Sequence, residues 1–280
     1  MSSQPVVGKL PSAAMSVIGV IFLVPFVWLV VAAFQQHGSL ELAGGGGFTL
    51  SHFINLFHGG GSFLEGGGSF LASFGNSLYL AVGTTVLTTV ICVLAAYPLS
   101  RFGSRTQEYF VYVLVFLTGL PIIAIMIPTY DYFVTLDIIN SKFWTVCFMT
   151  ATALPFATWI ARSFIDAVPR ELEEAAWMDG MTRAGSLAHV VVPMIVPGIC
   201  VVAVFTFVNA WSDFFVPYIL LQGSNNPASV TMYSFFGQYN IDYSAVAAFA
   251  IVYSLPPVVL YLVVTRWVGQ GFALRGALKG

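Results

Sequence analysis

The chain has 280 residues, of which 58% are hydrophobic and only 8% charged, against about a quarter charged in an ordinary soluble domain. Ten Lys and Arg stand against twelve Asp and Glu, a formal net charge of −2, so no basic field exists to attract nucleic acid. A surface this apolar would aggregate in water. The composition is that of a membrane protein.

A bilayer core of about 30 Å asks for roughly 20 apolar residues per helix. Uncharged runs of that length predict spans at Ala13–Phe34, Leu78–Leu99, Tyr109–Tyr130, Phe143–Ile165 and Ser244–Thr265. A sixth, about Gly198–Leu220, carries a single acid, Asp213. Arg162 lies close enough to the end of its span to snorkel to the headgroups. The first run is too long for a signal-peptide core and lacks a clear cleavage pattern, so it reads as an uncleaved anchor. Six spans put both termini on one side, with nine of the ten Lys and Arg there and Lys142 alone opposite. That asymmetry orients the termini toward the cytoplasm. The expected fold is an all-α membrane protein of six transmembrane helices with cytoplasmic termini.

Between the first two spans, Gly44–Gly47, Gly59–Gly61 and Gly66–Gly68 make a flexible spacer, with no Lys or Arg near them to cradle a phosphate. Residues 1–74 are thus read as an anchor helix and a Gly-rich extracytoplasmic loop, and 75–280 as the transmembrane domain. The segment Ile127–Asn140 is expected to leave the membrane along its outer face, and Gln222–Tyr243 to form a polar return loop. Cys92, Cys147 and Cys200 lie in separate apolar runs, where free Cys acts as a small hydrophobe. His37, His52, His58 and His189 show no ligand spacing, and the first three read as solvated loop residues. No metal site, phosphate loop or nucleophile elbow is present. No catalytic residue is assigned, and any ATP must be hydrolysed by another chain.

The informative segment is Asp166–Pro197. Pro169 suits a first helical turn, and Glu171, Glu173 and Glu174 follow near the positive end of the helix dipole. Gly180 supplies a left-handed terminus, and Thr182 caps a second helix running into Pro193 and Pro197. On the first helix Leu172, Ala175, Ala176 and Asp179 share one face. That face is short and Ala-rich and its other side is acidic, so anionic headgroups would repel it. Docking into another protein explains the composition better than lying on the membrane.

The run Glu174-Ala175-Ala176-x-x-Asp179-Gly180, followed by Val190-x-Val192-Pro193 and Pro197, resembles the EAA loop of ABC importer permeases. Pro169-Arg170-Glu171-Leu172-Glu173 resembles the carbohydrate branch, as do Ala95-Ala96-Tyr97 with Arg101-Phe102, Leu136–Asn140, and Phe207-x-x-Ala210-Trp211-x-Asp213-Phe214. The end, Gly276-Ala277-Leu278-Lys279-Gly280, is similar to the tail of the maltose-type second permease. Met181, Leu187, Pro98 and the Gly-rich loop depart from the pattern. The resemblance implies a type I ABC importer permease fold in a bacterial or archaeal inner membrane. It also implies a second permease forming a heterodimer, two ATPase subunits and an extracytoplasmic substrate-binding protein. No cofactor is expected in this chain, ATP and Mg being held by the ATPases. Glu171, Leu172, Glu174, Ala175, Ala176, Asp179 and Gly180 are then the ATPase-coupling residues: Glu174 makes the polar docking contact, the two alanines pack in the ATPase cleft, and Gly180 sets the turn. The tail residues Gly276, Lys279 and Gly280 are expected at the ATPase interface.

A charge inside a membrane helix asks for a reason. Asp213 either lines the substrate path, pairs with the partner permease, or sits half in water at the outer end of its span; its position favours the last. Asn209, Trp211 and Tyr218 nearby offer hydrogen bonds and a stacking face to a sugar, against the commoner role of such aromatics in packing. The competing class, an ion-coupled secondary transporter, calls for internal repeats and paired intramembrane charges, and neither is found.

Overall fold

The computed structural model describes residues 9–36, 47–58, 69–102, 105–235 and 242–277. Among them the secondary structure is helical apart from an isolated bridge between Gln35 and Phe48. The chain forms two compact units, one of residues 1–65 and 232–254 and the other of residues 66–231 and 255–280.

In the first unit, helix α1 (Lys9–Ala33) carries exposed apolar side chains such as Phe22 and Phe26 along most of its length, as a lipid-facing helix does. The short α2 (Ser51–His58) turns His52 inward. His52 is buried, with Nε2 3.0 Å from the Gln35 carbonyl oxygen and Nδ1 3.7 Å from Asp242. The expectation of a solvated loop histidine is therefore wrong here, because a short amphipathic helix, not open loop, occupies this stretch. His37 and the glycine runs, except Gly47, lie outside the described residues.

The second unit is built on α3 (Phe70–Arg101), which packs along α6 (Lys142–Asp166) and α10 (Val196–Ser212). Their core joins Cys92, Ala96 and Tyr97 of α3 to Ala157, Ala161 and Ile165 of α6 and Val202 of α10. Small residues at these positions let the helices approach closely. Gly198 carries this furthest: a Cβ there would meet Phe164 Cγ at 2.3 Å. Helix α13 (Tyr243–Ala277) closes the sequence, its segment Tyr243–Arg266 being apolar and long enough to span.

Among the described residues three helices, Phe70–Arg101, Lys142–Asp166 and Tyr243–Arg266, are long and apolar enough to cross a membrane, and up to five spans result if each of two bent pairs counts as one. The first of these bends, and a separate helix end at Ser212, correct two straight spans expected from hydropathy. The first break splits Tyr109–Tyr130 into α4 (Arg105–Thr118) and α5 (Ile122–Thr135), at 91°. Pro121 has no N–H to donate and disfavours helical geometry at Leu120. Gly119 and Leu120 instead close tight turns on Phe116 and Leu117. Separately, α10 ends at Ser212, so Gly198–Leu220 is not one helix. Asp213 is extended (φ −66°, ψ 120°) and its Oδ1 accepts from Val216 N at 3.2 Å, opening the short α11 (Phe215–Leu220).

The segment Ile127–Asn140 stays helical to Thr135, as part of α5, and then turns through Asp137 (φ 54°) and Asn140 (φ 62°). Asn140 N–H donates to Leu220 O at 2.8 Å, and its side chain accepts from Gln222 N–H at 2.9 Å. This turn is thereby stapled to the end of α11. The expected polar return loop contains a further helix, α12 (Ala228–Ser234).

Replacing Gly198 with Ala should lower stability by about 1–3 kcal/mol through overpacking against Phe164. The melting temperature of the solubilised protein should fall, and Phe164→Ala in the same chain should recover most of it; an unchanged melting temperature in the single variant would contradict this packing.

Candidate functional site: the α7 helix, its anchor and the adjoining cavity

Helix α7 (Arg170–Met178) begins after Pro169 and ends as expected. Gly180 has φ +86°. Met181 N–H donates to Ala176 O and Gly180 N–H to Trp177 O, both at 3.0 Å, which closes the helix in a Schellman motif. The Thr182 hydroxyl accepts from Gly185 N–H at 3.1 Å and caps α8 (Arg183–Ser186). Pro193 then deprives the His189 carbonyl of its usual donor, and the turn Leu187–Val191 widens, Val192 N–H reaching Leu187 O. A Pro-induced π turn of this kind is a recognised local response. After α9 (Val192–Met194) the chain breaks at Ile195, and Arg183–Met194 meets α10 at 77°.

The residues predicted for partner docking fall where the periodicity puts them. Glu171, Leu172, Glu174, Ala175 and Asp179 are exposed, Ala176 is half-buried, and the neighbouring Met178 is 87% exposed. Among the described residues of the second unit nothing covers this face. Gly276 belongs to the last turn of α13, while Lys279 and Gly280 lie outside the described residues.

The residue that sequence reasoning passed over is Glu173. It is 1% exposed. Tyr97 Oη donates to its Oε2 at 2.7 Å and Arg101 Nε to its Oε1 at 2.6 Å. Arg101 Nη2 also donates to Val168 O at 3.0 Å, and Arg170 Nη2 to Ser100 O at 3.1 Å. Beside this cluster, Ser100 Oγ donates to Asp166 Oδ1 at 2.5 Å. The C-terminal end of α3 is thus fastened to both α7 and the end of α6. The signal was present: Tyr97 and Arg101 stand i, i+4 on one helix face, a pairing that asks for a carboxylate partner. Arg162 also pairs along its helix, Nε 3.5 Å from Asp166 Oδ2. On the outer side of the anchor, the Arg183 guanidinium lies over Phe102 at 4.9 Å and Trp177 at 5.8 Å.

About 20 Å along α3 from the anchor, α3, α4, α6 and α10 enclose an open cavity of about 650 Å³. Its polar lining comes from Thr84, Thr118, Thr152, Thr206, Asn209, Ser212 and Asp213, its apolar lining chiefly from Met149, Phe156 and Phe205. Of the four residues proposed for a substrate path, the structure brings Asn209 and Asp213 here. Trp211 is buried instead, 5.3 Å from Phe74 edge-on and 5.8 Å from Phe207 in a stack. Tyr218 stacks on Phe214 at 5.0 Å, outside the cavity lining.

The chain matches the family described as the binding-protein-dependent transport system inner membrane component over residues 88–273. It is 32% identical over 211 residues to the sulfoquinovosyl glycerol transport system permease protein SmoH of Agrobacterium fabrum, covering 73% of this chain and 72% of that one. It is 23% identical to the arabinooligosaccharides transport system permease protein AraQ of Halalkalibacterium halodurans, with 99% of each chain covered. In fold it is similar to a bacterial ABC transporter involved in the import of the acidic polysaccharide alginate: TM-score 0.78, 18% identity, 95% of this chain and 99% of that chain.

Arg101→Ala should strand the Glu173 carboxylate in the interior and cost about 3–5 kcal/mol. Replacing both residues with apolar side chains of similar size, Arg101→Met with Glu173→Leu, should recover much of that loss. Thermal unfolding in detergent checks both; a double variant no better than the single would mean that the cluster is not a mutually dependent pair.

Proposed function

We propose how this chain works from one premise: it belongs to the binding-protein-dependent transport system inner membrane components, and is the permease of a membrane-embedded ABC importer for sugars. Six spans cross the inner membrane with both termini in the cytoplasm. A second permease completes the pathway as a heterodimer, a binding protein delivers the solute outside, and two ATPase subunits holding ATP and Mg dock inside.

The observation that carries the docking proposal is the division of labour on α7. Its outward face, with Leu172, Ala175, Asp179 and Met178, is bare, whereas Glu173 ties its inward face to α3. A short helix whose apolar residues are left uncovered while its opposite side is firmly anchored is suited to receive force from a partner. In this reading Glu174 and Glu171 make polar contacts to the ATPase, Ala175 and Ala176 permit close approach, and the C-terminal tail lies beside the same interface. When the ATPases close, α7 moves with them. The Glu173–Arg101–Tyr97 cluster carries that displacement into α3, and the Ser100–Asp166 hydrogen bond carries it into α6.

Affinity purification of the tagged chain should recover a second permease and an ATPase. Ala175→Trp, which puts bulk on the bare face, should release the ATPase and leave the permease pair intact. At Gly180 no neighbouring atom crowds a Cβ, so the constraint is the backbone: φ +86° penalises β-branched residues most and Asn least. Gly180→Val should reduce ATP-driven uptake at least about tenfold, and Gly180→Asn should retain most of it. A chain that purifies alone and transports in proteoliposomes without ATP would overturn the proposal.

A further inference from the structure

The polar groups around the cavity have a one-sided hydrogen-bonding character. Thr118 Oγ1 donates to Val115 O at 2.6 Å, Thr152 Oγ1 to Met149 O at 2.9 Å, and Ser212 Oγ to Val208 O at 2.7 Å. Asn209 Nδ2 donates to Phe205 O at 2.8 Å. A carbonyl oxygen can only accept, so each of these hydroxyls has committed its single proton to its own helix and presents lone pairs outward. Asn209 keeps its side-chain oxygen and one amide hydrogen. Asp213 spends Oδ1 on Val216 N–H and retains the rest of its carboxylate. Among the described residues no Lys, Arg or His lines the cavity.

The wall is therefore rich in acceptors, poor in donors and negative at one end. An apolar flank accompanies it: the Phe156 and Phe205 rings lie 4.6 Å apart, tilted by 44°. Deeper in the wall, Thr84 and Thr206 are 1% and 2% exposed, with hydroxyls that find no hydrogen-bond partner among the described residues. A buried hydroxyl left unpaired is costly, and two of them beside one cavity favour a polar occupant.

The chemistry of the occupant follows. A polyhydroxylated solute brings one proton per hydroxyl to the lone pairs of Thr118, Thr152 and Ser212, accepts in return from the few remaining donors, and lays its C–H face on the phenyl rings. A uronate, sulfonate or phosphate sugar brings acceptor-only anionic oxygens, which require N–H donors or cations. Here it would meet lone pairs and the Asp213 charge. The names of related proteins and structures include both anionic and uncharged saccharides, so membership of the family leaves the charge of the solute open. The lining of this chain does not.

We propose that this cavity is the stretch of the solute path that this chain contributes, and that it selects polyhydroxylated solutes lacking an anionic group. The proposal rests on the permease reading above.

The test measures the cavity's accessibility and charge directly. In a background with Cys92→Ala, Cys147→Ala and Cys200→Ala, single cysteines are placed by Thr152→Cys or Ser212→Cys, so that failure of one variant to assemble leaves the other. Membrane vesicles from cells expressing the complete importer are treated with a cationic trimethylammonioethyl methanethiosulfonate or an anionic sulfonatoethyl methanethiosulfonate. Each rate is divided by that reagent's rate on free cysteine. A nearby carboxylate lowers the thiolate fraction equally for both reagents, so their ratio reports the local potential alone. The cationic reagent should be favoured by about fivefold or more, as expected for one unit charge at close range in a partly desolvated site, and Asp213→Asn should bring the ratio toward one. Cysteines that do not react in the assembled importer, meaning another chain fills the cavity, would overturn the proposal. So would equal or faster reaction of the anionic reagent. Adding Mg-ATP and substrate-binding protein separates the two layers. A rate change without charge preference keeps the permease reading and removes this proposal, whereas charge preference with no response removes the permease reading and the proposal with it.

Discussion

The second unit depends on one buried carboxylate. Glu173 is held by a phenol and a guanidinium that both belong to the last two turns of α3. Burying an ion pair gains little net stability over an apolar pair, but severing it costs several kcal/mol. Such a pair specifies a relative position more than it adds stability. It fixes α7, a nine-residue helix too short to be stable alone, at one place and angle against the membrane-spanning bundle. Arg170 and Ser100 add a second link across the same junction, and Ser100 with Asp166 a third. The result is a rigid end to two long helices, from which α7 presents its other face outward.

That rigidity reaches the cavity because the same two helices line it. Thr84 and Tyr97 are thirteen residues apart on α3, about 20 Å along the axis. Thr152 and Asp166 are separated by a similar length on α6. Close packing of Cys92 and Ala96 against Ala157 and Ala161 leaves little room for the helices to slide past one another, since well-packed interiors are not continuously deformable. In the proposed mechanism, a displacement imposed at α7 would reach the threonines as a movement of whole helices. Gly198, pressed against Phe164, brings α10 into the same body, although α10 joins its preceding segment through a 77° bend.

The sequence shows some of this plainly and conceals the rest for physical reasons. Composition and apolar run lengths reveal the membrane class and the positions of the apolar helices. The cap at Thr182 and the left-handed Gly180 are readable because each requires a particular residue type at a particular place. Hydropathy does not register direction, however. The 91° turn at Pro121 falls in an uncharged run and the helix end at Ser212 in a run with a single acid, and a mostly apolar run looks alike whether straight or folded. His52 is hidden for another reason: its helix Ser51–His58 is short, and its burial depends on Gln35 and Asp242, which are distant in sequence. Glu173 was passed over because its burial depends on a partner 72 residues away, and one acid among three neighbouring glutamates carries no local mark of which is inside.

The cavity shows a subtler limit. Its threonines, serine and asparagine look like ordinary polar punctuation of apolar helices, and by residue type each is both donor and acceptor. Only the helical geometry decides that Thr118, Thr152 and Ser212 give their protons to carbonyls three or four residues back. Once those protons are spent, a wall of amphoteric residues becomes a wall rich in acceptors, and the carboxylate of Asp213 sets its sign. Back-bonding of this kind also satisfies the hydroxyl where no water is assured, so the feature that lets polar residues sit in a membrane helix also fixes what they can recognise. In this chain the helix-spanning lining and the buried anchor are two uses of one rule: a polar group in an apolar surrounding must be given a partner, and the choice of partner determines the function left over.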